Sequence, residues 1–227
     1  MTVILGDCIE VMQGMDPCSV DAVVCDPPYG MAYQSNRRVA TRQFSAIEQD
    51  AGFDPGWTRD WMTACYRVLK PDTHFYAFCS DHHLGAFRDA ATDSGFAVKR
   101  CLVWVKDAWT SGDLEGDYGH QTEFVIFAHK GRRHLDGGRI GNVLDGRRVP
   151  PSSLQHPTQK PVGILRPLIL KSTADGEVVL DPFCGSGSTG VACAEHGRRF
   201  IGIDSDPRYV QIARERLAQD TLFGDAA

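Results

Sequence analysis

At 227 residues, with 42% hydrophobic and 23% charged side chains, the sequence can build one substantial core and has the make-up of a soluble globular domain rather than a disordered one. Its formal net charge of −5 excludes a protein that coats nucleic acid by bulk charge alone. No apolar run approaches the length of a membrane span, and the start Met1-Thr2-Val3-Ile4-Leu5-Gly6-Asp7 has no basic leader, so the default expectation is a cytoplasmic location.

Val3-Ile4-Leu5-Gly6 reads as a short buried strand, and Cys8 to Gly14 as a short helix capped from Asp7. Val20 to Cys25 is the next strand, and it runs directly into Asp26-Pro27-Pro28-Tyr29. That tetrapeptide puts a carboxylate acceptor, a backbone stiffened by two prolines and a flat ring at one strand end. A plain turn needs an Asp-Pro pair at most, so the full combination marks a candidate site, although a turn remains the local alternative. From Gly30 to Pro55 no period is visible, and a loop of that length in a compact domain suggests a lid or binding loop.

Pro55-Gly56-Trp57 opens a helix in which Trp57, Trp61, Ala64, Cys65 and Val68 recur at three and four residues, ended by Lys70-Pro71. His74 to Cys79 is expected as a strand, Asp81 to Asp93 as a helix, Phe96 to Lys106 and Gln121 to His129 as strands joined by a loop over Asp107 to Gly119. Gly131 to Gln155 reads as irregular. Pro161 to Ser172 is helical, with Pro167 as a possible kink; Glu177 to Leu180 a strand, Ser188 to Glu195 a helix, Phe200 to Ile203 a strand, and Asp206 to Ala218 a final helix. This alternation predicts an α/β fold with a Rossmann-like, mainly parallel sheet covered by helices on both faces. The chain is expected to be one domain, 1–227, with a short recognition insertion at about 107–155 and a site loop at about 30–55.

The eight cysteines are scattered and form no Cys-x-x-Cys pair, so buried free thiols are expected instead of disulfides, and neither they nor the histidines have the spacing of a metal site. Basic residues cluster twice. Arg37, Arg38 and Arg42 follow the Asp-Pro-Pro-Tyr motif, and Lys130, Arg132, Arg133, Arg139, Arg147 and Arg148 crowd a later segment. Solvated loops often look like this, but two clusters flanking a candidate site are candidate phosphate contacts.

A second motif lies far away in the chain. Val178-Val179-Leu180 leads into Asp181-Pro182-Phe183-Cys184-Gly185-Ser186-Gly187-Ser188-Thr189-Gly190, a strand, a glycine-rich turn and a helix start. Gly185, Gly187 and Gly190 meet the G-x-G-x-x-G spacing, which lets backbone approach a ligand closely. Asp204 ends the next strand, where a carboxylate can hold ribose hydroxyls. Together these imply a nucleoside-type cofactor. A nicotinamide fingerprint would put its first glycine directly after the strand, whereas four residues, Asp181 to Cys184, intervene here; a nucleotide-dependent oxidoreductase is the alternative from another class.

Asp26-Pro27-Pro28-Tyr29, Asp181-Pro182-Phe183-Cys184-Gly185-Ser186-Gly187, His156-Pro157-Thr158-Gln159-Lys160-Pro161 and Leu5-Gly6-Asp7-Cys8 together resemble the S-adenosylmethionine-dependent DNA amino-methyltransferases that modify adenine N6 or cytosine N4. The catalytic motif precedes the cofactor glycines, which resembles the circularly permuted β group. The resemblance implies that Asp26 and the Pro27 carbonyl, set by Pro28, accept the target amino hydrogens and that Tyr29 stacks on a flipped base. It implies a cofactor site from Asp7, Cys8, Thr158, Lys160, Asp181, Phe183, Cys184, Gly185, Ser186, Gly187 and Asp204, with Asp7 toward the adenine, Asp204 at the ribose and Thr158 at the methionine end. Asp at the first motif position implies adenine N6, with cytosine N4, an RNA base or a protein glutamine as alternatives. The chain is short for this family, so a homodimer on double-stranded DNA is one expectation for how it reads its site.

Overall fold

The computed structural model describes residues 1–28, 52–110, 115–150, 153–154 and 159–223. Eight strands form one sheet: β1 (Thr2–Leu5), β2 (Val20–Cys25), β3 (Leu69–Cys79), β4 (Ala97–Thr110), β5 (His120–Lys130), β6 (Val143–Asp145), β7 (Val178–Asp181) and β8 (Arg199–Asp204). Their order across the sheet is β1-β8-β7-β2-β3-β5-β4-β6. Every pairing is parallel except those of β5, which runs antiparallel to both β3 and β4. A hairpin needs no crossover helix, so β5 folds back between its neighbours and alone reverses direction.

Helices α1 (Cys8–Gly14), α2 (Pro55–Val68) and α3 (Leu84–Asp93) cover one face, around Met12, Trp61, Phe75, Phe87 and Ile126. Helices α4 (Val162–Leu170), α5 (Ser188–Ala194) and α6 (Pro207–Phe223) cover the other, around Phe78, Ile164, Ile169, Phe200 and Ala213. The sheet is therefore buried from both sides at its centre, which is why β2 is buried at every residue and reads as an uninterrupted apolar run but for Asp21. The Asp21 carboxylate is satisfied by the Lys70 ammonium at 2.7 Å and the Val178 N–H at 2.9 Å, so it ties the starts of β2, β3 and β7 together. Among the described residues no helix is long and apolar enough to cross a membrane.

Three elements depart from the expectations. β3 begins at Leu69, not His74, and carries Pro71 inside it. The pairing jumps from Val20↔Leu69 to Ala22↔His74, and Asp72 has φ 56°, so Pro71 and Asp72 sit in a bulge where no ladder N–H is required. Residues 81–83 form a turn, and α3 starts only at Leu84. The stretch expected to be irregular after Gly131 contains β6, a three-residue edge strand that no three-residue period could announce. β5, β6 and the end of β4 lie within 107–155, so part of the span expected as a recognition insertion joins the sheet, and the expected loop from Asp107 is shortened because β4 continues to Thr110. Within the loop expected at 30–55, residues 30–51 lie outside the described residues.

Candidate active site

β7 and β2 are neighbours in the middle of the sheet, but their crossovers leave in opposite directions: β7 leads to β8 on one side and β2 to β3 on the other. Such a switch point opens a crevice beyond the carboxyl ends of the strands, where α/β proteins bind ligands. A cleft open to solvent lies there. Its walls bring together Asp26 just after β2, Asp181 at the end of β7 with Phe183, Cys184, Gly185 and Ser186 after it, and Gln159 and Lys160 before α4.

The glycine turn owes its shape to two carboxylates. Asp181 is buried and accepts from the Phe183 N–H at 3.0 Å and the Thr189 hydroxyl at 2.6 Å, folding the turn back onto the first turn of α5. Burial pushes its carboxyl up to about 7, against the pull of those two hydrogen bonds. Asp204, at the end of β8, accepts from the Gly185 N–H and the Asp206 N–H, each at 2.9 Å. Gly187 has φ +82°, and a Cβ there would lie 3.1 Å from the Ala213 Cβ, so only glycine lets α5 pack this close to α6. Phe183 packs edge-on against Trp61, with centroids 5.1 Å apart, and beside Trp57. The Gly6 N–H donates to the Asp204 carbonyl at 3.0 Å, which sets Asp7 next to this end of the crevice; Asp7 caps α1 by accepting from Ile9 and Glu10, as expected.

Across the crevice, the Asp26 carboxylate is largely buried. Its Oδ2 accepts from the Lys160 ammonium at 2.5 Å, a contact spanning 134 residues, while its Oδ1 has no hydrogen-bond partner among the described residues. Lys160 also lies 3.1 Å from Glu123 on β5, and Glu123 lies 2.8 Å from Lys106 on β4. Burial raises the Asp26 carboxyl, the Lys160 ammonium lowers it and Glu123 raises it again, leaving it at about 6. At Glu123 burial also pushes upward, but two ammonium groups outweigh it and hold the carboxyl below its usual range.

The cleft can hold a nucleoside-type cofactor. It combines close-approach backbone at Gly185, an apolar wall from Phe78, Leu165 and Phe183, and a buried Ser188 hydroxyl that has no partner among the described residues. Six of the eight cysteines are buried and all eight are free thiols. Burial raises Cys25 and Cys184, the two thiols lining the cleft, well above the ordinary range, so neither is a thiolate nucleophile at neutral pH.

Three comparisons bear on this geometry. The sequence profile of a DNA methylase family acting at N6 and N4 amino groups matches residues 20–215. The chain belongs to the N6/N4 DNA methylases. A Type II methyltransferase of Streptococcus pneumoniae, M2.DpnII, is 31% identical over 242 residues, covering 96% of this chain and 89% of the relative. M2.LlaDCHI, a Type II methyltransferase of Lactococcus lactis subsp. cremoris, is likewise 31% identical, over 245 residues that cover 96% of this chain and 90% of its own. Among solved structures, the M1.HpyAVI complex with S-adenosylmethionine superposes with a TM-score of 0.73 at 26% identity, covering 95% of this chain and 98% of that one. The cytosine-N4-specific PvuII DNA methyltransferase superposes at 0.74 with 17% identity over 96% of this chain and 90% of its own, a likeness of fold.

In this methylase the residues expected at the site divide. Asp26 and Lys160 meet Asp181, Phe183, Cys184, Gly185 and Ser186 around one cleft, with Gly187 and Asp204 shaping it. Pro27 and Pro28 follow Asp26, and Cys8 is buried beneath Asp7 as a core thiol. Tyr29, Arg37, Arg38, Arg42 and Thr158 lie outside the described residues. The later basic cluster is split by the sheet. Lys130 pairs with Thr73 at the start of β3, and its ammonium donates to the Tyr66 and Leu69 carbonyls; Arg132 follows, and Arg133 pairs with Glu177 and Asp136. All three therefore sit at the end of the sheet opposite the cleft, because β5 runs antiparallel and carries its C-terminus away from the site. Arg147 and Arg148 follow β6, whose end is level with Val105, so they lie on the cleft side, where Arg148 meets Asp107 at 3.4 Å. Gln159, Phe78, Leu165, Ser188 and Thr189 line the methylase cleft without having been expected there. Glu123 and Lys106 each border the apolar part of a strand, Phe124 to Ala128 in β5 and Leu102 to Val105 in β4, and nothing in their spacing marks them as partners.

Proposed function

We propose that this methylase transfers a methyl group from S-adenosylmethionine to the N6 amino group of an adenine flipped out of double-stranded DNA, in the cytoplasm. The observation that carries this reading is the pairing, across one cleft, of a buried carboxylate with an open oxygen at Asp26 and a glycine turn fastened to Asp204. Bound S-adenosylmethionine supplies an electrophilic methyl group. Phe183, Gly185 and Ser186 would line it, Asp204 would take the ribose, Asp7 the adenine end and Thr158 the methionine end. An exocyclic amino nitrogen is a weak nucleophile because its lone pair is delocalised into the ring. Asp26 and the Pro27 carbonyl accept its hydrogens and so favour the localised lone pair, held in place by the two prolines. Tyr29 supplies the stacking face for the extruded base. Direct transfer requires no enzyme nucleophile, in keeping with the protonated state of the cleft thiols.

Asp rather than Ser at position 26 supports adenine. Incubating the purified protein with tritiated cofactor and duplex DNA, then digesting and separating the nucleosides, tests this: label in 6-methyladenine is expected, and label only in 4-methylcytosine refutes the base. Sedimentation with and without duplex tests the homodimer expected from the chain's length.

Two further outcomes follow. Asp26 is the stronger hydrogen acceptor when ionised, and its carboxyl is raised to about 6. Turnover per bound DNA is therefore expected to climb as pH rises through about 6 and to level off above it; a profile flat from pH 5 to 8 would contradict the role. For DNA contact, Arg147 is exposed on the cleft side, whereas the exposed Arg132 is at the far end. Replacing Arg147 and Arg148 with alanine is expected to flatten the log–log salt dependence of DNA affinity by roughly one to two, at about 0.9 per phosphate contact, while Arg132→Ala leaves it unchanged. Anisotropy titrations across several KCl concentrations read both.

A further inference from the structure

Lys106, Glu123, Lys160 and Asp26 form a line of alternating charge that begins on β4, crosses β5 and ends at the cleft, at 2.8, 3.1 and 2.5 Å. It is almost closed to water: the side chains of Lys106, Glu123, Lys160 and Asp26 are 8, 15, 7 and 16% exposed. Each ammonium also lies against a ring, Lys160 over Phe78 at 5.1 Å and Lys106 over Trp104 at 5.6 Å. Buried charges persist only when paired, and four in a row sum to zero, so the line is a unit from which no member can be removed without leaving an excess charge. Its geometry is also asymmetric at the reacting end. Lys160 occupies Oδ2 of Asp26, and Oδ1 is the oxygen without a partner among the described residues.

We propose that Glu123, anchored by Lys106, is a positioning residue for methyl transfer: it shares the Lys160 ammonium with Asp26, so that Lys160 fixes Oδ2 while Oδ1 keeps enough negative charge to accept the target amino hydrogen. A lysine given to Asp26 alone would orient the carboxylate but quench it as an acceptor. A carboxylate without the lysine would be free to rotate and, in so dry a site, would hold a proton. Glu123 sets the balance between these failures. The assignment rests on the amino-methyltransferase reading above, in which Asp26 is the acceptor.

Other charges that face Asp26 are Asp181 on β7, while Cys25 on β2 and Cys79 on β3 stay protonated. Asp181, raised to about 7, titrates close to Asp26 but is present in the wild type and in both variants, so the comparison is made between proteins that share it and the two substitutions keep opposite signatures. In Glu123→Gln, which keeps the size but loses the charge and one of the two oxygens that face ammonium groups, the Asp26 carboxyl takes a larger share of the Lys160 ammonium and loses a neighbouring negative charge, and its titration midpoint falls. In Lys160→Met the midpoint rises.

The experiment is a 13C-carboxyl NMR titration of the cofactor-free protein, wild type and both variants, combined with kcat at saturating substrates and calorimetric affinity for S-adenosylmethionine. Expected are midpoint shifts of opposite sign and, for Glu123→Gln, a fall in kcat of about tenfold or more with cofactor affinity within about threefold of wild type. Equal-sign shifts, or a Glu123→Gln protein with unchanged midpoint and kcat, would overturn the proposal. The wild type supplies a measurement that does not depend on variant folding: the Lys160 15Nζ resonance should shift as Asp26 titrates, and its insensitivity to that step would equally sink the idea. If wild-type protein methylates no DNA amino group, the functional reading fails instead, and the NMR titration still reports on the network.

Discussion

Asp26→Ala is expected to lower kcat for DNA methylation by about 10³-fold while leaving S-adenosylmethionine affinity within a few-fold of wild type. The proposed role of the carboxylate is to accept hydrogen from the amino group in the transition state, and positioned acceptors of this kind contribute roughly 10²- to 10⁴-fold. The cofactor turn is built by Asp181 and Asp204, not by Asp26, so binding and turnover should separate. Loss of the carboxylate leaves Lys160 facing Glu123 and the line with one excess buried positive charge, so a clear drop in Tm is expected and both measurements are made below it. Asp26→Asn keeps the shape and one carbonyl acceptor but lacks the charge, and should fall between alanine and wild type. Single-turnover transfer of tritium to duplex DNA, beside calorimetry with the cofactor alone, measures both halves. An alanine variant turning over within threefold of wild type would remove Asp26 from the chemistry.

The second large effect concerns the other wall. Asp204→Ala is expected to weaken S-adenosylmethionine binding by about 30- to 100-fold, the equivalent of roughly 2–3 kcal/mol, the range for hydrogen bonds to a charged group. In the folded protein this carboxylate already receives the N–H groups of Gly185 and Asp206, and a carboxylate has lone pairs to spare for ribose hydroxyls. Removing it therefore deletes a ligand contact and slackens the glycine turn that forms the floor of the cleft. Burial raises this carboxyl above its usual range while the two N–H groups pull it down. Asp204→Asn should retain part of the affinity, since its amide oxygen can still take one N–H. Calorimetry decides, and an alanine variant binding the cofactor like wild type would show that the ribose lies elsewhere.

Much of this was readable from local sequence because burial on two faces leaves a strong signature. β2, β7 and β8 are short apolar runs, and each ends in a carboxylate at the same edge of the sheet, Asp26, Asp181 and Asp204. Period-three and period-four spacing located α2, and Asp7 announced α1 because a cap bonds to N–H groups only two and three residues away. The bulge at Pro71 and the edge strand β6 were hidden for the converse reason. A bulge depends on what the neighbouring strand can do without, and among the described residues β6 pairs with β4 alone.

The basic residues show the same limit from another side. Lys130 and Arg148 belong to one cluster in the sequence, yet the reversal of β5 sends the first to the far end of the sheet and the position of β6 leaves the second beside the cleft. Charge clustering measures proximity along the chain and carries no information on strand direction. By itself the sequence determined the α/β class, the order of the Asp-Pro-Pro-Tyr and glycine-rich motifs along the chain, and the carboxylates Asp26, Asp181 and Asp204 at the ends of three neighbouring strands, because these are written in short runs where local chemistry and burial agree. Only the tertiary structure decided that Lys160 reaches Asp26 across 134 residues, that Oδ1 is the oxygen left open, and that Glu123 and Lys106 stand behind them. Charges on four separate elements can neutralise one another only once the sheet has placed them within about 3 Å in a site too dry to screen them.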